Sequence, residues 1–248
     1  ISWALGFVIA LWLLGHREKL LTLKPPTAKE VRETWGKVIR IGSPISLANM
    51  LTPITILFLT ALVARHGEAA VAGFGAGARI EAFAMILAFA MTSTLSPFMA
   101  QNIGAGNVAR VRQALNLSLK LVLIFQFIGY LVLALSAPLL IQVFSDDPDV
   151  LLVAKQYLLI MPAGALFYAV VIVIATAFNA AHESSKTLIV SLIRLFLFVL
   201  PCAYIGGRII GIPGLFAGSV LGNLLAAGFA FWLVTKMLDR LENQQVFK

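Results

Sequence analysis

The sequence predicts an all-α fold: a polytopic membrane bundle of six complete transmembrane helices preceded by one partial helix. Three observations carry this. Hydrophobic residues make up 60% of the 248 and charged residues 12%, whereas soluble chains run at about 45–50% and about 25%. The mean hydropathy is +0.95. The apolar residues also come in blocks long enough to cross a bilayer core of ~30 Å, which takes ~20 helical residues. Within hydrocarbon each segment must satisfy its own backbone polar groups, and a helix does so alone.

The first block, Ile1–Leu14, is apolar but lacks an initiating Met and a charged leader, and His16-Arg-Glu-Lys follows it rather than a small-residue cleavage site. It therefore reads as the end of a helix in a longer protein, not as a signal peptide. In the polar stretch His16–Gly36, Pro25-Pro26 stops any continuous helix, and Thr27 with Glu30 three residues on forms a capping-box pattern. The alternating charges of Lys29–Arg40 predict an interfacial segment ahead of the next span. Complete spans are expected at about Val38–Ala64, Ala70–Gln101, Val108–Phe144, Val150–Ala180, Thr187–Gly206 and Pro213–Met237. The domain expectation is 1–15 as the end of a preceding helix, 16–37 as a cytoplasmic linker, 38–240 as a six-helix unit and 241–248 as a tail.

Lys and Arg give the orientation. Arg17, Lys19, Lys24, Lys29, Arg32, Lys37, Arg40, Arg110, Arg112, Lys186, Lys236, Arg240 and Lys248 fall on one side. Only Arg65, Lys155 and Arg208 fall on the other, with the acidic turn Ser145–Asp149. The positive-inside rule makes the first side cytoplasmic, the C-terminus included. This distribution also accounts for the net charge of +8; no basic face with interleaved aromatics points to nucleic acid. Cys202 is alone, and His16, His66 and His182 are far apart without a carboxylate pair, so neither an internal disulfide nor a metal site is expected. No cofactor is expected either, and nothing supplies the nucleophile, base or metal of an enzyme.

Chemistry concentrates between Gly73 and Asn107, where Arg79 and Glu81 interrupt an otherwise apolar span. A charge at the bilayer centre costs roughly 2.5–3.5 kcal/mol, so it is normally paired, hydrated or functional. Two residues apart on a helix, Arg79 and Glu81 point about 200° from each other and do not easily pair. Three readings of Glu81 stand: a proton- or cation-linked role, a partner for a buried Arg, or interfacial exposure. Arg194 in the span Thr187–Gly206 and Lys120 in the span Val108–Phe144 are candidate partners, and both Lys120 and Arg79 have stems long enough to snorkel to an interface. The alternating glycines Gly73, Gly75 and Gly77 do not follow a strand, so they read as close helix approach or local unwinding rather than a phosphate loop. Gly218 and Gly222 favour close packing beside Asn223.

Uncharged polar residues at depth, Asn49, Thr52, Tyr168 and Asn179 among them, are candidates to line a cavity or to hydrogen-bond a neighbouring helix. Pro44, Pro53, Pro97 and Pro162 are candidate bends, since each removes a backbone donor. Gln101–Asn107 reads as a helix stop at Gly104 and Gly106 and a restart capped by Asn107.

Four segments together resemble the C-terminal lobe of the multidrug and toxic compound extrusion (MATE) transporters: Glu68–Gly75, Ala78-Arg-Ile-Glu81, Leu95-Ser-Pro97 and Gln101–Asn107. Gly42-Ser-Pro44 fits the same pattern. The resemblance implies a twelve-helix protein of two six-helix lobes in the bacterial inner membrane, of which this chain supplies the end of the first lobe and all of the second. It implies export of organic cations or other small amphipathic compounds in exchange for H⁺ or Na⁺, with the bilayer and the missing N-terminal lobe as partners. One branch of the family has a carboxylate in each of the first and fourth C-lobe helices. Here those spans offer Asn49 and Thr52, and Tyr168 and Asn179, with no acid. Glu81, Arg79 and Arg194 are then the candidates for ion coupling in this half, and the other lobe the alternative place for it. Rival readings are a lipid or lipid-linked oligosaccharide flippase of the same superfamily and a non-transporting membrane assembly subunit.

Overall fold

In the computed structural model, which describes residues 2–17, 26–143 and 145–246, every regular element is a helix. The chain divides into two units, Ile1–Arg40 and Ile41–Lys248.

In the first unit, α1 (Ser2–Trp12) ends in a π turn, Leu13–Arg17. Residues 18–25, including Pro25, lie outside the described residues. The capping box at Thr27 forms: its N–H donates to Glu30 at 2.8 Å, and Glu30 N–H donates to Thr27 Oγ1 at 3.4 Å. With this start, α2 runs from Ala28 to Ala64 as one helix. The expected interfacial segment Lys29–Arg40 is thus continuous with the span. Half of its residues are the good helix formers Lys, Glu and Arg, and an α-helix satisfies its own backbone inside or outside the membrane.

The remaining helices are α3 (Glu68–Gly104), α4 (Val108–Ile141), α5 (Pro148–Ala180), α6 (Ser184–Ile210) and α7 (Ile212–Val246). Together with α2 they make, among the described residues, six helices long and apolar enough to cross a membrane. The 35 residues of α7 extend about 52 Å at 1.5 Å each, well beyond a ~30 Å core. Its polar end therefore continues past the expected Met237.

Short turns join the helices, so neighbours in sequence run antiparallel. Gly211 alone connects α6 to α7 at φ 72°, a left-handed conformation that glycine adopts without steric cost. Asp147 caps α5 through its side chain, which accepts from Asp149 N–H, with Pro148 at the first helical position. Asn107 stands at the start of α4, but its side chain makes no capping bond; its own N–H instead donates to Asn102 C=O at 2.8 Å, closing off α3.

The interior is organised around α5, the most buried span, which packs against α3, α4 and α7. A helix apolar on every side is what a central position requires. Helices α6 and α7 approach through glycine: a Cβ on Gly222 would stand 2.5 Å from Val199 Cα, and Gly206, Gly214 and Gly218 likewise meet backbone. Between Ile193 and Val199, α6 loosens into a π segment in which Leu200 N–H reaches back to Leu195 C=O. Pro201 follows at once, and its missing N–H and its ring disfavour the α register there.

By contrast, α2 makes few close backbone approaches to other helices. Its residues from Leu51 to Val63 are held by side chains instead. Buried apolar residues form two clusters. One includes Met99, Leu115, Phe178 and Met237, and the other Leu59, Phe74, Leu158 and Phe216.

Candidate functional site

A cavity of about 310 Å³ opens where the two clusters meet, drawing its wall from α2, α3, α5, α6 and α7. Each contribution follows helical spacing. On α2 it is Thr52, Thr55, Ile56 and Leu59; on α3, Phe74, Ala78, Glu81, Met85 and Phe89; on α5, Tyr157, Met161, Ala165 and Tyr168. Steps of three and four put each set on one face. Helix α6 adds Arg194 and α7 adds Asn223.

The charged residues occupy separate parts of this wall. Glu81 accepts a hydrogen bond from the Tyr157 hydroxyl. Gly77, one turn before Glu81, makes this possible, because a Cβ there would stand 2.5 Å from the Tyr157 ring. The same ring meets Phe74 edge-on at 5.4 Å between centroids. Gly73 is equally tight against Val153, whereas Gly75 faces open space. Of the alternating glycines, the two that share the face toward α5 are the ones used for packing.

Arg194 is buried, at 5% exposure, and sits within the π segment. Its guanidinium donates to Asn223 Oδ1 at 3.2 Å and to Thr55 Oγ1 at 3.4 Å, and lies 4.4 Å from the Tyr168 ring centroid. The Tyr168 hydroxyl is 2.9 Å from Thr52 Oγ1. One polar chain therefore runs from Thr52 on α2 through Tyr168 and Arg194 to Asn223 on α7. Among the described residues no carboxylate pairs with Arg194, so it is not the partner of Glu81.

The other expected residues fall elsewhere. Arg79 is exposed and outside the cavity wall, consistent with its angular separation from Glu81. Asn49 is exposed on α2 and Lys120 on α4. Asn179 accepts from Thr187 Oγ1 at 2.9 Å near the α5–α6 turn, away from the cavity. Pro44 and Pro53 lie inside α2, Pro97 inside α3 and Pro162 inside α5, and each helix continues through them. The residue-by-residue reading did not find Tyr157, Thr55 or Met161. The stripe from Tyr157 through Met161 and Ala165 to Tyr168 is a signal that could have located the first and last. Asn223, expected to serve packing, also binds Arg194. Gln126, buried on α4, donates to Met85 Sδ at 3.2 Å behind the wall.

A mostly apolar wall with aromatic rings and a few placed polar groups, a carboxyl and a guanidinium among them, has the make-up of a small-molecule site. Among the described residues no group of His, Cys, Asp or Glu could hold a metal ion.

The MatE family model matches residues 44–205. The chain belongs to the MATE family. Its members are membrane transporters rather than enzymes, and this chain is a multi-pass membrane protein. It is 36% identical over 238 residues to a FAD transporter of Shewanella oneidensis, covering 96% of this chain and 53% of that protein. It is 18% identical over 241 residues to the multidrug export protein MepA of Staphylococcus haemolyticus, covering 97% and 53%. The crystal structure of the Vibrio cholerae MATE transporter VcmN in the bent form superposes with a TM-score of 0.85 at 28% identity, covering 98% of this chain and 55% of that one. The chain thus spans about half the length of the relatives it matches, and its helices correspond to half of a MATE transporter.

Proposed function

We propose that this chain is the C-terminal half of a secondary active MATE exporter, in which the cavity around Glu81 forms part of the substrate path. The transported compounds are organic cations or other amphipathic molecules, exchanged for H⁺ or Na⁺ by alternating access. The observation that carries this reading is the wall itself: apolar and aromatic side chains surround a single acid, Glu81, bound to Tyr157. The names of MepA and its relatives as multidrug exporters support it. The two helices on which one family branch places acids meet here through the neutral Thr52–Tyr168 bond. Coupling in this half accordingly falls to Glu81, and otherwise to the other lobe.

One observation favours a second reading, in which the guest is an anionic aromatic compound. Arg194 brings a guanidinium without a carboxylate partner to the same wall, and the 36% identical relative is named a FAD transporter. A flavin dinucleotide offers a flat ring system and phosphates, and a guanidinium suits phosphate.

Efflux from proteoliposomes under an imposed pH or Na⁺ gradient tests both, with an organic cation and FAD as separate cargoes. Gradient-driven movement of the cation, lost in Glu81→Gln, is the expected result. Movement of FAD alone selects the second reading. Equal efflux by wild type and Glu81→Gln removes Glu81 from the mechanism, and no gradient-driven efflux of either cargo overturns the proposed exchange of these compounds for H⁺ or Na⁺.

A further inference from the structure

A second concave site lies at the end of the bundle opposite the C-terminus, apart from the central cavity and independent of the transport reading. It has a volume of about 340 Å³ and is formed by the end of α2, the last turns of α6 and the start of α7. Arg65, His66 and Arg208 line it with the Tyr204 hydroxyl, over an apolar floor of Leu62 and Leu215. No acid lines it.

Three features single it out. The span assignment puts three Lys or Arg residues, Arg65, Lys155 and Arg208, at this end of the bundle, and two of them converge on one pocket. Acids are present at the same end, in Glu68 and the Asp146–Asp149 turn, yet neither arginine forms an ion pair with any described residue. Arg208 instead directs Nε and Nη2 to the Tyr204 hydroxyl, at 3.2 and 3.0 Å. Beside the pocket, α6 exposes Ile205, Ile209 and Ile210 at 56%, 74% and 68%. A basic cup at the level of the helix ends, next to an apolar strip running toward the bilayer core, has the two-part chemistry of an anionic lipid. Guanidinium forks match phosphate oxygens, the hydroxyl can donate to a third, and the isoleucines suit acyl chains.

We propose that Arg65, His66, Tyr204 and Arg208 form a binding site for the phosphate headgroup of an anionic phospholipid in the leaflet at that end of the bundle. Two arginines at a membrane surface are enough to favour an anionic over a zwitterionic headgroup by roughly tenfold or more.

Native mass spectrometry of the whole protein, released from nanodiscs containing equal phosphatidylglycerol and phosphatidylcholine, reads this preference directly. Wild type should retain phosphatidylglycerol by roughly tenfold over phosphatidylcholine, and Arg65→Gln with Arg208→Gln should lose that preference. Arg65→Lys with Arg208→Lys keeps the charge and should keep most of it. If the double Gln variant does not fold, Arg208→Gln alone, at an exposed position, should lower the preference several-fold. Equal retention of both lipids by wild type overturns the site, as does an unchanged preference in the Gln variants. If millimolar inorganic phosphate raises the melting temperature of wild type but not of the Gln variant, while phosphatidylglycerol does neither, the ligand is a free anion and the lipid assignment falls.

Discussion

Tyr168 joins two interactions of different kinds: its hydroxyl meets Thr52 of α2, and its ring lies under the Arg194 guanidinium. Substitution separates them. Tyr168→Phe removes the hydrogen bond and keeps the ring, at an expected cost of about 0.5–1.5 kcal/mol. Tyr168→Leu also removes the cation–π contact, adding about 0.5–2 kcal/mol for this desolvated guanidinium. Unfolding titrated with SDS in mixed micelles measures both, and equal destabilisation by Phe and Leu would show that the ring contributes nothing to Arg194. Sequence alone left Tyr168 between cavity and helix contact, because a polar residue at depth satisfies either description. The structure gives it both places: it lines the cavity, and its hydroxyl meets Thr52 across 116 residues of chain. Arg194 was legible as a buried charge but not its partners: they come from α2, α5 and α7, and spacing along one helix carries no information about which other helices surround it.

At the level of the helix, glycines two residues apart have different roles. A methyl group at Gly77 would collide with the Tyr157 ring, while one at Gly75 would meet nothing within 4 Å. Gly77→Ala is expected to cost about 1–3 kcal/mol by overpacking and to disturb the Glu81 bond, whereas Gly75→Ala should be neutral or stabilising by up to ~1 kcal/mol through helix propensity. Gly222→Ala should cost more than Gly77→Ala, because its obstacle is the backbone of Val199 and cannot rotate away. Thermal unfolding in detergent ranks the three, and a Gly75→Ala variant as unstable as Gly77→Ala would refute the assignment of faces. The sequence read Gly75 and Gly77 alike as close helix approach or local unwinding, and Gly222 as packing, without separating the first two, since glycine carries no side chain whose polarity would show its face. The π segment of α6 was likewise missed. Pro201 marks the disturbance, but whether a helix answers a proline by kinking or by widening depends on what packs against it, here the glycines of α7.

Across the whole molecule, the basic residues separate by bundle end. Arg110, Arg112, Lys186 and Arg240 share the end near the C-terminus, where Arg112 bridges to Asp239 at 2.6 Å and to Glu242 at 3.0 Å, and Glu183 pairs with Lys186 and Arg240. The positive-inside rule then predicts a cytoplasmic C-terminus. In a Cys202→Ala background, Asp146→Cys should react with a membrane-impermeant maleimide on intact cells, and Gln244→Cys only after permeabilisation; the reverse pattern would invert the topology. The sequence by itself determined the class and count of spans, because hydropathy over ~20 residues is a local property that the bilayer reads segment by segment. It also carried the family, in the run from Glu68 to Asn107. Only the tertiary structure decided which polar residues meet. It placed Arg79 outside the cavity and Glu81 inside, gave Glu81 to Tyr157 rather than to Arg194, and gathered Arg65 and Arg208 into one pocket. Those pairings depend on the rotation of each helix about its axis, which is fixed by close packing between segments far apart in the chain.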